Sequence, residues 1–311
     1  MLLIFSFAAL NSKAQMLDNK NGDAFTDKPF FNEAFIQKNQ VKELKGNFIY
    51  KKKGDVMRPT SYYYVYHFDT LGRLDFTYET KQDDGTKDST KIFFYYDSLQ
   101  RIRETYQTNS NGFLVKSYTF DHANFKNSEL VSQLYYDSIE EVPRSTILQE
   151  ETIVNQYFDK QIQSTYYNNY HLPYKKITQQ FNELGYLLES EDFFLMNSSR
   201  LTTKYTYNEH GFLAQKTTYM DTLSIPVQEE KYLYDEFGNL TLKSIYKNGI
   251  HQTDIEFLYN QKSALLATII IREVATNFMM IIRFTDISFY EVSDTTDMRM
   301  NDGEEEQIEI E

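Results

Sequence analysis

A segment that recurs nine times constrains this chain more than any other feature. Residues 66–74 read YHFDTLGRL, residues 205–213 read YTYNEHGFL, and residues 231–246 read KYLYDEFGNLTLKSIY. Aligned on the Asp or Asn, the copies begin at Asp69, Asp97, Asp121, Asp137, Asn168, Asn182, Asn208, Asp235 and Asn260. The preceding residue is aromatic in every copy, from Phe68 and Tyr96 to Tyr234 and Tyr259. Five residues after the Asp or Asn an aliphatic follows in seven of nine copies, with Lys126 and Pro173 as the exceptions. The fourth position holds Gly72, Gly185, Gly211 or Gly238 in four copies, and Asn124 or His171 in two. Gln100, Glu140 and Ser263 occupy it in the others.

Asp or Asn at the first position and Gly at the fourth are the preferences of a type I turn. Followed by one left-handed residue, that turn closes a three-residue hairpin loop with a bulge. The Asp or Asn side chain accepts from the backbone two residues on. Phe68 and Leu74 lie six residues apart across such a loop, so both point to one face. Continuing the alternation puts Tyr62, Tyr64, Tyr66, Phe76 and Tyr78 on that face too. In the last of the quoted copies, Tyr232, Tyr234, Leu240, Leu242 and Tyr246 follow suit. Each repeat is therefore a β-hairpin with an aromatic face. A lone hairpin is marginal in water, so neighbours must pair edge to edge.

The expected fold is all-β: an antiparallel meander of repeated hairpins over residues 41–290, forming an extended curved sheet, open or partly closed. Spacings between turns are mostly 24–31 residues, enough for two strands and a return, and the 14-residue step from Asn168 to Asn182 implies a shorter return. Asp84-Gly85 and Asn248-Gly249 close further tight hairpins. Residues 264–284 read as two buried strands around a turn near Thr276-Asn277. Residues 15–40 form a lead-in, polar and loose over 15–29, with a short helix or irregular stretch over 30–40. Composition agrees, with 26 Tyr, 24 Phe and only 5 Pro and 11 Gly.

The ends carry different signals. Leu2–Leu10 is an apolar run too short to span a bilayer, and Ser12-Lys13-Ala14 places small residues where a signal peptidase reads. Residues 1–14 are thus expected to be a signal peptide, although no Lys or Arg precedes the apolar run. Residues 291–311 carry nine acids and one Arg and read as an acidic disordered tail. The net charge of −13 gives no basic face for nucleic acid. With no cysteine there is no disulfide, thiol nucleophile or Cys-metal site.

Tyr234-Asp-Glu-Phe-Gly-Asn-Leu-Thr241 and Phe68-Asp-Thr-Leu-Gly-Arg-Leu74 resemble YD repeats of the bacterial Rhs type. The resemblance covers roughly Tyr62 to Leu265, mainly through the turns. It implies an exported protein in the periplasm, on the outer surface or secreted. Long Rhs arrays wind a ribbon of hairpins around a toxin segment. The array in this chain is short, lacks the Pro-rich motif that ends such shells, and has no separate toxin-like domain. The resemblance carries no catalytic residues across.

No catalytic, cofactor or metal residues stand out. The five histidines, His67, His122, His171, His210 and His251, lack metal-ligand spacing. Residues 83–88, DDGTKD, are the best calcium candidate, but a solvated hairpin tip explains them better. Adjacent pairs such as Glu150-Glu151 fall on opposite strand faces. Tyr63, Tyr95, Tyr135 and Tyr166 fall opposite the core aromatics and are the candidate ligand-facing rings, suited to stacking on sugars or binding protein. A covered second face is the plainer account of them. The resulting expectation is an exported, non-enzymatic scaffold or binding module of the cell envelope, partnered by protein or glycan, with sheet edges open to oligomerisation. A hydrolase with carboxylates converging from several hairpins, and an outer-membrane barrel, are the competing readings.

Overall fold

A computed structural model describes residues 15–83, 86–136, 143–221 and 223–291. The signal-peptide segment, the turns at Asp84-Gly85 and Asp137, and all of the tail except Glu291 lie outside these residues, and the side chains of the 83–88 cluster do too.

The helix α1 spans Glu33–Lys38. The first strands are β1 (Val41–Lys51), β2 (Arg58–Phe68), β3 (Leu74–Asp83), β4 (Thr86–Tyr96), β5 (Ile102–Asn109) and β6 (Gly112–Phe120). Next come β7 (Lys126–Tyr136), β8 (Pro143–Phe158), β9 (Gln161–Tyr167), β10 (Pro173–Phe181), β11 (Leu187–Phe194) and β12 (Ser199–Tyr207). The last are β13 (Leu213–Met220), β14 (Gln228–Tyr234), β15 (Leu240–Lys247), β16 (Ile250–Tyr259), β17 (Leu266–Glu273) and β18 (Phe278–Phe289). Each strand pairs antiparallel with the next, and β18 returns to pair with β1, Phe48 opposite Ile282 and Tyr50 opposite Met280. The meander closes completely into an 18-stranded barrel, beyond the open or partly closed sheet expected. Closure removes both sheet edges, and with them the expected route to edge-to-edge oligomers.

The turns do what the residues require. In the Asp69 turn, Oδ1 accepts from the N–H of Leu71 and of Arg73 at 2.9 and 3.0 Å. The same pair of bonds recurs at Asp97, Asp121, Asn168, Asn182, Asn208 and Asp235. The fourth residue is left-handed whether it is Gly or not: Gln100, Asn124 and His171 have φ of 62°, 66° and 57°. At Asn260 the loop is one residue longer, and Ala264 takes the left-handed position in place of Ser263.

Seven of these turns, at Asp69, Asp97, Asp121, Asn182, Asn208, Asp235 and Asn260, join an even strand to the next odd one. They all lie at one end of the barrel, the proximal end. Asn168 joins β9 to β10, so its turn is at the distal end. The 14-residue step from Asn168 to Asn182 is thus one strand crossing from end to end. At each proximal turn the register shifts just inside the loop, as between His67 and Phe68. Phe68 faces Leu74, but His67 faces Phe76, so the bulge reverses the alternation beyond Leu74. Phe76, Tyr78, Leu242 and Tyr246 therefore point outward, opposite to the uninterrupted parity reading.

The lead-in enters the proximal end and is buried there. Met16, Leu17, Ala24, Phe30, Phe31, Phe35 and Ile36 join one core with Leu44, Tyr66, Phe68, Leu213, Tyr232, Phe257, Ile269 and Ile282. The lead-in thus packs on the inner face of strands from β13 through β18 and on to β4. Residues 15–29 are not loose. Leu17 bridges Phe31, and Asn32 N–H donates to the Met16 carbonyl at 2.9 Å. Each large apolar side chain buried this way contributes roughly 1.5–3 kcal/mol before entropy is counted. The helix follows from Asn32, whose side chain caps it by accepting from Phe35 N–H.

Candidate functional site

The inside of the barrel has two unlike halves. Under the lead-in it is packed with apolar side chains and encloses an ion pair: Lys243 Nζ lies 3.2 Å from Glu230 Oε2, with the side chains 5% and 8% exposed. Tyr232 and Gln228 also donate to Glu230, and Lys243 reaches the Ala24 carbonyl. Burial pushes the Glu230 carboxyl up, but Lys243, Tyr232, Lys216 and Gln228 outweigh it and hold it below the usual range.

Strands β5–β12 enclose the other half. Strand register places Lys116, Tyr118, Glu129, Glu151, Tyr166, Lys175, Asp192 and Tyr205 on the inner face, and all are partly open to solvent. Glu129 and Glu151 are cross-strand partners. Lys126 Nζ sits 2.5 Å from Glu129, and Glu151 accepts from Tyr174 Oη at 2.5 Å. Lys175 lies 4.1 Å from the centre of the Tyr166 ring. Burial pushes the Tyr166 phenol up to about 12, helped by the charges of Asp192, Glu151 and Glu129. Burial also raises the Asp192 carboxyl, opposed by Lys175 and Ser190. This wall mixes rings, carboxylates and ammonium groups, and its two paired carboxylates are already engaged by donors. Among the described residues, no three His, Asp or Glu side chains are placed to hold a metal ion.

A recess of about 430 Å³ opens at the proximal rim of this half. It is lined by Phe125, Tyr157, Phe158 and Phe181 together with Lys160 and Glu183. Its origin is local. The β8–β9 connection has only Asp159 and Lys160 between the strands, whereas the turns on either side carry the longer Asx loop. The short hairpin leaves a notch between two taller ones. Tyr157 Oη donates to Asp121 Oδ2, and Asn155 Nδ2 donates to the same oxygen at 2.8 Å. Burial and the Asp121 charge push the Tyr157 phenol up to about 12. His122 and Phe125 pack around the Tyr157 ring at 5.8 and 5.5 Å. Lys160 and Glu183 pair at 3.1 Å on the other side.

The four ring positions expected to face a ligand do not form one stripe. Tyr63 and Tyr95 are on the outer wall, Tyr63 beside Tyr78 and Lys45, Tyr95 against Tyr106. Tyr135 and Tyr166 share the inner face by register. The reason is that Tyr166 precedes the Asn168 turn at the distal end, where Tyr167, the residue before the Asn, faces out by register, and Tyr135 lies near the distal end of β7. The recess residues were missed because the β8–β9 hairpin has no copy of the motif. Its trace in the sequence is the 31-residue gap between Asp137 and Asn168.

The outer wall is not a lipid-facing band. Glu191, Lys204, Lys231 and Glu256 point outward near the middles of their strands. A Lys at the midplane of a bilayer costs about 2–4 kcal/mol in such a position. Among the described residues no helix is long and apolar enough to cross a membrane.

No family model matches the sequence, and no curated protein matches it. Crystal structures of porin-like proteins from Bacteroides uniformis and Bacteroides vulgatus align with 80% and 79% of this chain and 98% of their own chains. Identities are 10% and 14%, and TM-scores 0.38 and 0.30. A LolA superfamily protein from Nitrosomonas europaea aligns over 84% of this chain and 92% of its own at 8% identity and a TM-score of 0.19. Similarity at this level does not assign a function.

Proposed function

We propose that the protein is an exported, non-enzymatic binding module of the cell envelope, built from Rhs-type YD repeats, whose site is the half of the barrel that the lead-in leaves open. The observation that carries this reading is the division of the interior. One half is filled by the chain's own residues 16–36, and the other presents Tyr118, Tyr166, Tyr205, Glu129, Glu151 and Asp192 to solvent. A wall built only for stability would be apolar, because side chains of this kind lose hydration when enclosed without partners. Small-ligand sites combine rings with a few placed polar groups, in the mouths of barrels among other places. The signal-like start supports export, and the outward charges support a barrel bathed in water on its outer wall.

A photo-crosslinking residue at Tyr118 or Tyr205, compared with one at Tyr63 or Tyr95, tests the reading in native envelope fractions. Saturable adducts from the inner positions alone, with the bound material recovered uncleaved, are expected. Adducts confined to the outer positions, or hydrolysis of the bound material, would overturn it.

A further inference from the structure

We infer that the distal rim of the barrel docks on an anionic lipid surface, with the β1–β2 hairpin tip as its leading contact. The inference concerns the outside of the barrel and stands apart from the binding-module reading of its open half. Strands β1 and β2 are joined by residues 52–57, and residues 51–58 read KKKGDVMR. At this tip Val56 and Met57 are 71% and 51% exposed, beside the exposed Lys52 and Lys53. Its acid, Asp55, is engaged within the hairpin. It accepts from Val56 N–H at 2.8 Å and from Arg58 Nε and Nη2 at 3.1 and 3.0 Å. With Lys51, Lys52, Lys53 and Arg58 against Asp55, residues 51–58 carry a net charge of +3 in a chain whose total is −13. The tip stands clear of the barrel, since a Cβ at Gly54 would meet nothing within 4 Å. Its neck is fixed: the Tyr50 ring stacks on Phe278 at 5.8 Å, and Thr60 Oγ1 donates to the Phe48 carbonyl at 2.9 Å.

The rim beside this tip extends the contact. Because β18 pairs with β1, the β17–β18, β15–β16 and β13–β14 turns follow next along the distal end. Leu223, Ile225 and Ile250, in the last two of these hairpins, are each more than half exposed. The charged residues of these three turns, Asp221, Lys247, Arg272 and Glu273, cancel, and residues 81–88 on the other side add three Asp against two Lys. The arc therefore stays positive. Apolar tips interleaved with cations suit an interfacial contact, in which the tips enter the headgroup layer and Lys and Arg meet lipid phosphates. A peptide partner needs a groove or an open strand edge, and a convex tip offers neither. Charge also selects the end of the barrel. At the proximal tips the exposed Leu184 and Phe237 stand beside Glu183 and Glu236, which an anionic surface repels.

The test is co-sedimentation of the purified full chain with vesicles of phosphatidylcholine containing a quarter phosphatidylglycerol, against vesicles of phosphatidylcholine alone. Binding is expected to the anionic vesicles only, and to fade as salt rises from about 0.05 M to about 0.5 M. Lys52→Gln with Lys53→Gln should weaken it about twenty-fivefold, at about fivefold per cation, the ratio equivalent to about 1 kcal/mol for each Lys at such a surface. Val56→Ser with Met57→Ser should weaken it about tenfold without any change of charge. Lys38→Gln with Lys262→Gln, at the proximal end, should leave it within about twofold of the parent. The chain has no tryptophan, so Met57→Trp supplies a lone reporter at the tip. Its emission should shift to the blue on anionic vesicles, and that of Leu99→Trp at a proximal tip should not. Failure to bind, equal binding to both vesicles, or a shift at Leu99→Trp alone would overturn the inference. Binding to polyglutamate through the same lysines, with no vesicle binding, would make the partner an acidic polypeptide and overturn the lipid assignment.

Discussion

The hydroxyl of Tyr234 donates to the carbonyl oxygen of Leu213 at 2.8 Å and accepts from Asn19 Nδ2 at 3.0 Å. One bond ties a repeat to the one before it, and the other ties the lead-in to the barrel. The first is general. Tyr96 donates to the carbonyl of Leu74, Tyr207 to that of Leu187, and Tyr259 to that of Leu240, each at 2.8 Å. The acceptor is the aliphatic residue of the preceding copy, next to its bulge. This explains why the motif favours Tyr over Phe before the Asp or Asn.

Replacing Tyr96, Tyr207 or Tyr259 by Phe should each cost about 1 kcal/mol in urea unfolding, the usual net value of such a bond. Tyr234→Phe should cost more, because it also leaves Asn19 without its acceptor. Tyr95→Phe, on the outer wall, should stay within about 0.5 kcal/mol of the parent. Equal effects at Tyr95 and Tyr96 would show that the latch contributes nothing.

The turn glycines separate two causes of cost. At Gly72 (φ +82°) a Cβ would lie 2.2 Å from the Glu33 carbonyl oxygen and 2.7 Å from Gln37 N, both backbone atoms of the lead-in helix. At Gly185 (φ +80°) it would meet nothing within 4 Å. Gly185→Ala should therefore carry only the left-handed penalty of about 1–2 kcal/mol. Gly72→Ala should exceed it and should raise hydrogen exchange in Glu33–Lys38. If the two variants unfold at the same urea concentration, helix α1 does not rest on this turn in solution.

The enclosed pair of Glu230 and Lys243 makes a prediction with a pH axis. The folded Glu230 carboxyl lies below its ordinary value of 4.5. A depressed acid contributes stability that is present above its unfolded value and lost as pH falls through the folded one. Stability should thus decline as pH drops below about 4.5. Lys243→Met leaves the carboxylate enclosed without its cation. It should cost about 3–5 kcal/mol at neutral pH, and its decline should begin at a higher pH. A variant with an unchanged acid limb in unfolding curves from pH 3 to 7 would remove Glu230 from the account.

The hairpins, the strand turn near Thr276-Asn277 and the paired faces of Phe68 with Leu74 were readable because turn chemistry and parity are local. Barrel closure was not, since the pairing of Phe48 with Ile282 joins residues from opposite ends of the chain. The bulge at each proximal turn also escapes a parity count, and it alone turns Phe76 and Tyr78 outward. Met16 and Leu17 sit among Asn, Asp and Lys residues, so their burial depends on a cavity that only the closed barrel supplies. The inner wall combines both difficulties. Glu129, Glu151 and Asp192 become neighbours of Tyr166 only when the register of five strands is known.

The choice between Asp and Asn at the head of each turn follows from the second side-chain atom. Where the residue is Asp, Oδ2 has a donor: Arg73 for Asp69, Arg101 for Asp97, Asn239 for Asp235, and Asn155 with Tyr157 for Asp121. Where it is Asn, the facing residue is Leu172, Tyr186 or Phe212 and has no side-chain donor directed at it. An Asn at position 69 keeps the Oδ1 bonds but turns a donor toward Arg73, whose guanidinium also stacks 4.5 Å from the centre of the Tyr96 ring. Asp69→Asn should therefore cost up to about 1 kcal/mol, as expected for a partly exposed pair, and should lose that cost when Arg73 is already Ala. Asn208→Asp should be the less favourable direction at its own site, because the new charge finds no donor at Phe212. A double-mutant cycle on Asp69 and Arg73 with no coupling would show that the turn alone, and not the pair, selects the acid.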